Sequence, residues 1–233
     1  MSEDTIQKTK VDNFFSMLSF RLKNFMTAKK KLDLYLAIDF NVFNFIKPDE
    51  NRLSDILSNL LDPSGSHGQN DMFLKEFLKV IELDSFPNNL INCKVIREVS
   101  TSYIKKSQRR IDIILDFGDS GIGIENKPWA IEQEDQIKDY CEHLKRKYKD
   151  KFFLIYLSGD GSEPSSIEDV EKKDLQKQNK LKVLSYSENF RKWLESCYKE
   201  CNSEKIRWFI KDFIEYIDNN FKYQPANEGE LVC

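Results

Sequence analysis

Histidine is scarce in this sequence: His67 and His143 are its only two, and they lie far apart along the chain. None of the five cysteines forms a CxxC pair. Cys197 and Cys201 share a helix face at i, i+4, but no second ligand pair lies nearby, so a zinc site lacks its ligands. Reduced thiols, as in a cytoplasmic protein, are the expected state. Long apolar runs are also missing, which excludes a bilayer-spanning helix, and MSEDTIQKTK has no apolar stretch behind it to make a secretory signal. Nor does charge of one sign dominate. A formal net charge of −3 argues against broad, nonspecific coating of nucleic acid. It leaves room for an enzyme that meets phosphates through a local basic patch and a metal. A soluble cytoplasmic protein without a membrane partner is the expectation.

With 233 residues, 40% of them hydrophobic and 32% charged, the chain can bury a proper core. No internal repeat or low-complexity linker divides it. The expected organisation is one domain over residues 1–233: a helical N-terminal extension (1–48), a core with C-terminal helices (49–222) and a tail (223–233). Apolar spacing predicts helices over residues 4–31, 32–46, 50–61 and 71–81, with Pro48 stopping the second. The apolar stripe of the first helix, Phe14, Leu18, Leu22 and Phe25, serves core packing or dimerisation, with packing preferred.

Strand patterns follow at 90–100, 111–117 and 121–127, the last two joined by a tight turn at Gly118-Asp119-Ser120-Gly121. A helix over 131–148 then leads to an almost wholly apolar strand at 152–157, and a helix between two strands makes them parallel neighbours in one sheet. A short edge strand at 182–185 and helices at 187–201 and 204–221 complete an α/β fold, a mixed sheet flanked by helices on both sides.

Within the second and third strands stand Asp112, Glu125 and Lys127, charges that are costly in buried strands unless paired. A divalent metal and a phosphate would pair with all three. Side chains alternate along a strand, so Glu125 and Lys127 point one way, Ile122, Ile124 and Asn126 the other. Gly121 and Gly123 lie on the acidic face and leave it open to a substrate, while the hairpin brings Asp112 alongside. Two carboxylates and a backbone carbonyl suit magnesium or manganese. Lys127 would orient the attacking water, help its deprotonation and offset transition-state charge, with no histidine required. Only two Glu-x-Lys pairs occur in the chain, and the other, Glu171–Lys173, lies in a polar helical stretch without an upstream hairpin aspartate. The competing structural reading is a buried salt bridge of Lys127 with Asp112 or Glu125. On the following helix Gln136 and Tyr140 share a face at i, i+4, where Gln136 can bond a phosphate or the attacking water and Tyr140 brace it. Basic clusters at Lys105, Lys106, Arg109 and Arg110, and at Lys145, Arg146, Lys147, Lys149 and Lys151, are either a phosphate patch or ordinary solvated faces.

Asp112, then Glu125-Asn126-Lys127, then Gln136 and Tyr140, resembles the PD-(D/E)XK nuclease superfamily, in the subset with a trailing QxxxY motif that includes lambda exonuclease and RecB-type nuclease domains. The likeness extends over residues 40–217, through landmarks at 50–78, 96–100 (IREVS) and 184–197 (LSYSENFRKWLESC) that look like those of a bacterial family in this superfamily. It implies the restriction-endonuclease-like αβββαβ core, Mg2+ (with Mn2+ substituting) and hydrolysis of phosphodiesters, of DNA in the first place. By the same resemblance Asp112 and Glu125 are metal ligands, Lys127 the catalytic lysine, and Gln136 and Tyr140 the QxxxY pair. Glu50 takes the place of the helical glutamate that completes the metal shell, and Glu98 is its rival. Arg109 and Arg110 steer phosphates or are plain surface. Ile111 stands where the motif has proline, and Leu53 where a histidine is expected before Ser54. A nuclease with no methylase or helicase segment suits defence against foreign DNA, alone, as a homo-oligomer or with an unidentified protein partner. The alternatives are a non-catalytic nucleic-acid-binding or regulatory module on a nuclease-like fold, and an RNA-directed nuclease.

Overall fold

The structure, a computed structural model, describes residues 3–37, 39–83, 86, 89–101, 109–129 and 135–221. Two compact units divide it, Met1–Asn41 and Val42–Cys233. The first is one long helix, α1 (Glu3–Leu36). It runs five residues past the boundary expected near Lys31 and ends where Ala37 turns to a left-handed φ of 42°. The second expected helix shrinks to α2 (Phe43–Ile46), which closes on a left-handed Lys47 before Pro48. Within Met1–Asn41 the stripe of α1 finds no core: Phe14, Phe15, Leu22 and Phe25 are exposed.

The second unit begins, after α2, with two amphipathic helices, α3 (Glu50–Leu61) and α4 (Met72–Val80). Asp49 caps α3, its carboxylate accepting from the Arg52 N–H at 2.8 Å. That cap makes Glu50 the first residue of the helix, where a negative charge is favoured by the helix dipole. A meander follows: β1 (Lys94–Ser100), β2 (Arg110–Asp116) and β3 (Gly121–Lys127), antiparallel to one another in turn. Then α5 (Gln136–Tyr148) crosses over to β4 (Phe152–Ser158), parallel to β3. A second crossover through α6 (Asp169–Lys177) leads to β5 (Leu181–Ser185), parallel to β4 at the sheet's edge. The spatial order is β1-β2-β3-β4-β5, which is the mixed α/β sheet expected. A π-helical turn at Tyr186–Phe190 opens α7 (Arg191–Glu200), and α8 (Glu204–Asn220) closes the described chain. The tail expected at 223–233, the Lys105–Lys106 pair and the first residues of the helix expected from 131 lie outside the described residues.

Apolar side chains bury both faces of the sheet. On one, Ile113, Leu115, Ile122, Ile124, Ile155 and Leu157 pack with α3, α4, α7 and α8. On the other, Ile114, Leu154 and Tyr156 pack with Ile137, Tyr140, Leu144 and Tyr148 of α5. The strand glycines correct the sequence reading on this second face. A Cβ on Gly121 would lie 2.3 Å from a ring carbon of Tyr148, and one on Gly123 2.9 Å from the Leu144 side chain. These positions admit α5, not a substrate. Overpacking there is expected to be costly: Gly121→Ala should lower unfolding free energy by about 1–3 kcal/mol, read from urea denaturation, because the buried Tyr148 ring must move. A loss below about 0.5 kcal/mol would show that α5 is not tightly seated. Cys93, Cys141, Cys197 and Cys201 are buried and unbridged. Among the described residues no helix is long and apolar enough to cross a membrane.

Candidate active site

Where the β2–β3 ladder ends, at Ile113 opposite Ile124, the next residue on β2 continues the pairing with its side chain. Asp112 Oδ2 accepts from the Asn126 main-chain N–H at 2.8 Å. One residue before Asn126, Glu125 is 1% exposed. Its Oε1 accepts from Gln136 Nε2 at 2.8 Å and from Lys127 Nζ at 3.1 Å. Its Oε2 is buried with no hydrogen-bond partner. Lys127 Nζ also reaches across to Glu50 Oε1 at 2.6 Å, so the N-terminal end of α3 delivers a third carboxylate to the end of β3.

Burial and mutual repulsion shape the protonation of this group. Burial pushes the Asp112 carboxyl up, against the Asn126 N–H and the Lys127 charge that pull it down. Glu125 rises to about 8, first through burial and then through the neighbouring Asp112 charge. For Lys127, burial favours the neutral amine, but the carboxylates of Glu125, Glu50 and Asp112 outweigh it and hold the ammonium charged. A lysine so held offers a positive charge, not a free base, which weighs against its helping to deprotonate water. The buried salt bridge weighed as the competing reading of Lys127 is present in the structure, with Glu125 and Glu50 as its partners.

The donor set fits a hard divalent cation. The buried Glu125 and the half-buried Asp112 carboxylates lie within mutual repulsion, one oxygen of Glu125 is unpartnered, and all the offered atoms are oxygens. Among the described residues, no three His, Cys, Asp or Glu side chains form a ready-made metal cluster. Glu50 is turned to Lys127 instead.

Gln136 and Tyr140 do come to the site, facing Glu125 rather than solvent. Gln136 Nε2 donates to Tyr140 Oη at 2.8 Å as well as to Glu125, and Tyr140 Oη donates on to the Arg110 carbonyl at 2.7 Å. The pair thus braces the glutamate from α5 and pins the start of β2. Arg109 is drawn to the same helix by an ion pair with Asp139 at 3.0 Å, both side chains largely buried. Arg110 is exposed and paired with Glu98 at 2.9 Å. Glu98 itself adopts a left-handed φ of 50°, and the β1–β2 register passes from Arg97–Ile113 to Val99–Ile111 without a Glu98–Asp112 pair. Glu50 is among the leading charges that shift Asp112 and Glu125. In the second basic cluster Lys147 pairs with Asp116 at 2.8 Å, Lys151 with Asp119 at 2.5 Å, and Arg146 with Glu142.

Three residues at this site escaped sequence reasoning. Arg97 Nη1 donates to the Asp112 carbonyl at 2.6 Å while its Nε meets Asp55 at 2.9 Å, tying β1 and β2 to α3. Asn126 and Tyr186 bond to each other at 2.8 Å on the far side of the sheet. The only sequence signal for Asn126 was a carboxamide on the face of Ile122 and Ile124, an amide among core residues. Leu53, where a histidine was expected, is fully buried in the core. A family model of the PD-(D/E)XK nuclease superfamily matches residues 40–215 of the chain. No curated protein and no solved structure matches it.

Proposed function

Because the chain belongs to the PD-(D/E)XK nuclease superfamily, we propose that it is a Mg2+-dependent nuclease that hydrolyses phosphodiester bonds of DNA, with Mn2+ able to substitute. The observation that carries this reading is the half-buried Asp112 beside the buried Glu125, which has an unpartnered oxygen and a charged lysine next to it. Such a pair is costly in a fold unless a cation joins it. Asp112 and Glu125 would hold the ion, and Glu50 would complete its shell on release from Lys127. When bound, the metal lowers the pKa of water and offsets negative charge on the phosphate. The protein's own groups do the rest. Gln136 and Tyr140 keep the Glu125 carboxylate from rotating away. Lys127 places a positive charge where the phosphate oxygens gain negative charge. The apolar packing of α5 on β3 and β4 closes the rear of the site to water. Defence against foreign DNA is the role that the resemblance suggests, and a nucleic-acid-binding module is the reading from another class.

The test is incubation of purified protein with linear, circular and single-stranded DNA and with RNA, with Mg2+, Mn2+ or EDTA. Metal-dependent cleavage of DNA that disappears in Asp112→Asn is the expected result. Cleavage of RNA alone transfers the reading to an RNA-directed nuclease. Binding without cleavage, equal in wild type and Asp112→Asn, favours the binding module.

A further inference from the structure

We propose that Asn126, the residue between Glu125 and Lys127, is a positioning residue that holds Glu50 at the acidic pair through a buried polar relay with Ser54 and Tyr186. What Glu50 is held for rests on the nuclease reading above; that it is held rests on the contacts alone.

Asn126 is fully buried, on the sheet face that carries Ile122 and Ile124. A carboxamide there is costly to bury unless its atoms are satisfied. Each side-chain polar atom has a partner from another element. Oδ1 accepts from the Tyr186 hydroxyl at 2.8 Å. Nδ2 donates to Ser54 Oγ at 2.8 Å and to the Glu50 main-chain carbonyl at 3.3 Å, both in α3. Its main-chain N–H meanwhile donates to Asp112 Oδ2. One residue therefore touches the Asp112 carboxylate through its backbone and the Glu50 backbone through its side chain, while joined covalently to Glu125 and Lys127.

The donor behind Asn126 is itself rigid. The Tyr186 ring stacks on Phe221 with centroids 4.8 Å apart and lies 5.0 Å from that of Phe190. It sits in the π-helical turn, which Ser185 caps by accepting from the Glu188 N–H at 3.1 Å. A π-helical turn is an uncommon conformation that recurs at functional sites. The relay Tyr186, Asn126, Ser54 thus links the C-terminal layer to the first turn of α3. Among the described residues, the other contacts that hold this turn are the Asp49 cap, the Lys127–Glu50 ion pair and Arg97 Nη2, which donates to the neighbouring Asn51 carbonyl at 3.3 Å.

The experiment compares Asn126→Ala, Ser54→Ala and Tyr186→Phe. Alanine at 126 keeps the N–H that bonds Asp112, and phenylalanine at 186 keeps the ring packing, so that variant folds even if the first does not. Two readouts are taken. In metal-free protein, amide hydrogen exchange over residues 50–57 is expected to rise in all three variants, with exchange in α8 unchanged. With Mn2+ alone, calorimetry is expected to show affinity about 10-fold weaker, the size of effect seen when groups behind a metal ligand are removed. In a Glu50→Ala background the same substitutions should cause no further loss, since Asn126 acts through Glu50. Unchanged exchange over 50–57, or a full additive loss in that background, overturns the proposal. If wild type binds no Mn2+, the metal reading of the site fails instead, and the exchange result alone decides whether Asn126 holds α3.

Discussion

Replacing Lys127 by methionine is expected to lower metal-dependent cleavage by about two to three orders of magnitude, the cost of removing one charge-stabilising group from a preorganised site. Methionine keeps the packing of the lysine stem and removes only the ammonium. The Glu50 carboxylate then loses its counter-ion, 2.6 Å away, and the Glu125 carboxyl loses the ammonium 3.1 Å from its oxygen. In the metal-free protein Glu125, already raised to about 8, is pushed higher and stays protonated at neutral pH, so the fold survives the loss. Mn2+ affinity should hold or rise, since the ammonium no longer competes for Glu50. Calorimetry with Mn2+ beside a cleavage assay separates these effects. Wild-type cleavage by the variant would remove Lys127 from the mechanism. Loss of Mn2+ binding along with cleavage would make Lys127 an organiser of the carboxylates rather than a group acting on the phosphate.

Glu125 governs the second large effect, which is one of pH. A metal must displace the proton that burial and Asp112 hold on this carboxyl. Below pH 8 the apparent Mn2+ affinity should climb about tenfold per pH unit, one proton released per ion, and flatten above it. Glu125→Gln should abolish both the binding and its slope. Stability moves in the opposite sense. The folded carboxyl titrates near 8 and the unfolded one near its ordinary 4.5, so between those values the folded state holds the extra proton. Stability without metal therefore falls as pH rises through that window, and the loss is complete above it. The melting temperature of Glu125→Gln should gain on wild type across the same range, by on the order of 10 °C. Added Mn2+ should restore wild type and leave the variant unchanged. A wild-type melting temperature that tracks the variant at every pH would show that Glu125 ionises freely, without the strain that a cation relieves.

Much of this site was legible before the fold was known. Alternation placed Glu125 and Lys127 on one strand face, and the turn at residues 118–121 set β2 beside β3 so that Asp112 comes level with the end of β3. Spacing on α5 put Gln136 and Tyr140 on one side. Tyr140 braces Gln136 as expected, but the contact of Gln136 with Glu125 was not foreseen, because spacing says which residues share a face and not what lies opposite. Their face meets Glu125 and the Arg110 carbonyl. Arg109 was read as a phosphate contact or plain surface for the same reason, since nothing local shows that Asp139 waits across the layer.

By itself, then, the sequence determined most elements and their order: the bounds of α3 and β3, the β2–β3 hairpin, the crossover through α5 and the two acids with their lysine. Periodicity, capping and turn chemistry act over a few residues, and those are written in the chain. The tertiary structure alone decided which partners meet. Lys127 and Glu50 are 77 positions apart, and Asn126 and Ser54 72. Glu50 rather than Glu98 stands at the acids because the α3 cap aims the first turn of that helix at the end of β3, while Arg110 holds Glu98 aside. Gly121 and Gly123 receive Tyr148 and Leu144 because the crossover through α5 must lie flat on β3. Contacts between layers depend on how whole faces pack, and close packing of shapes is a property of the assembled fold that no local pattern encodes.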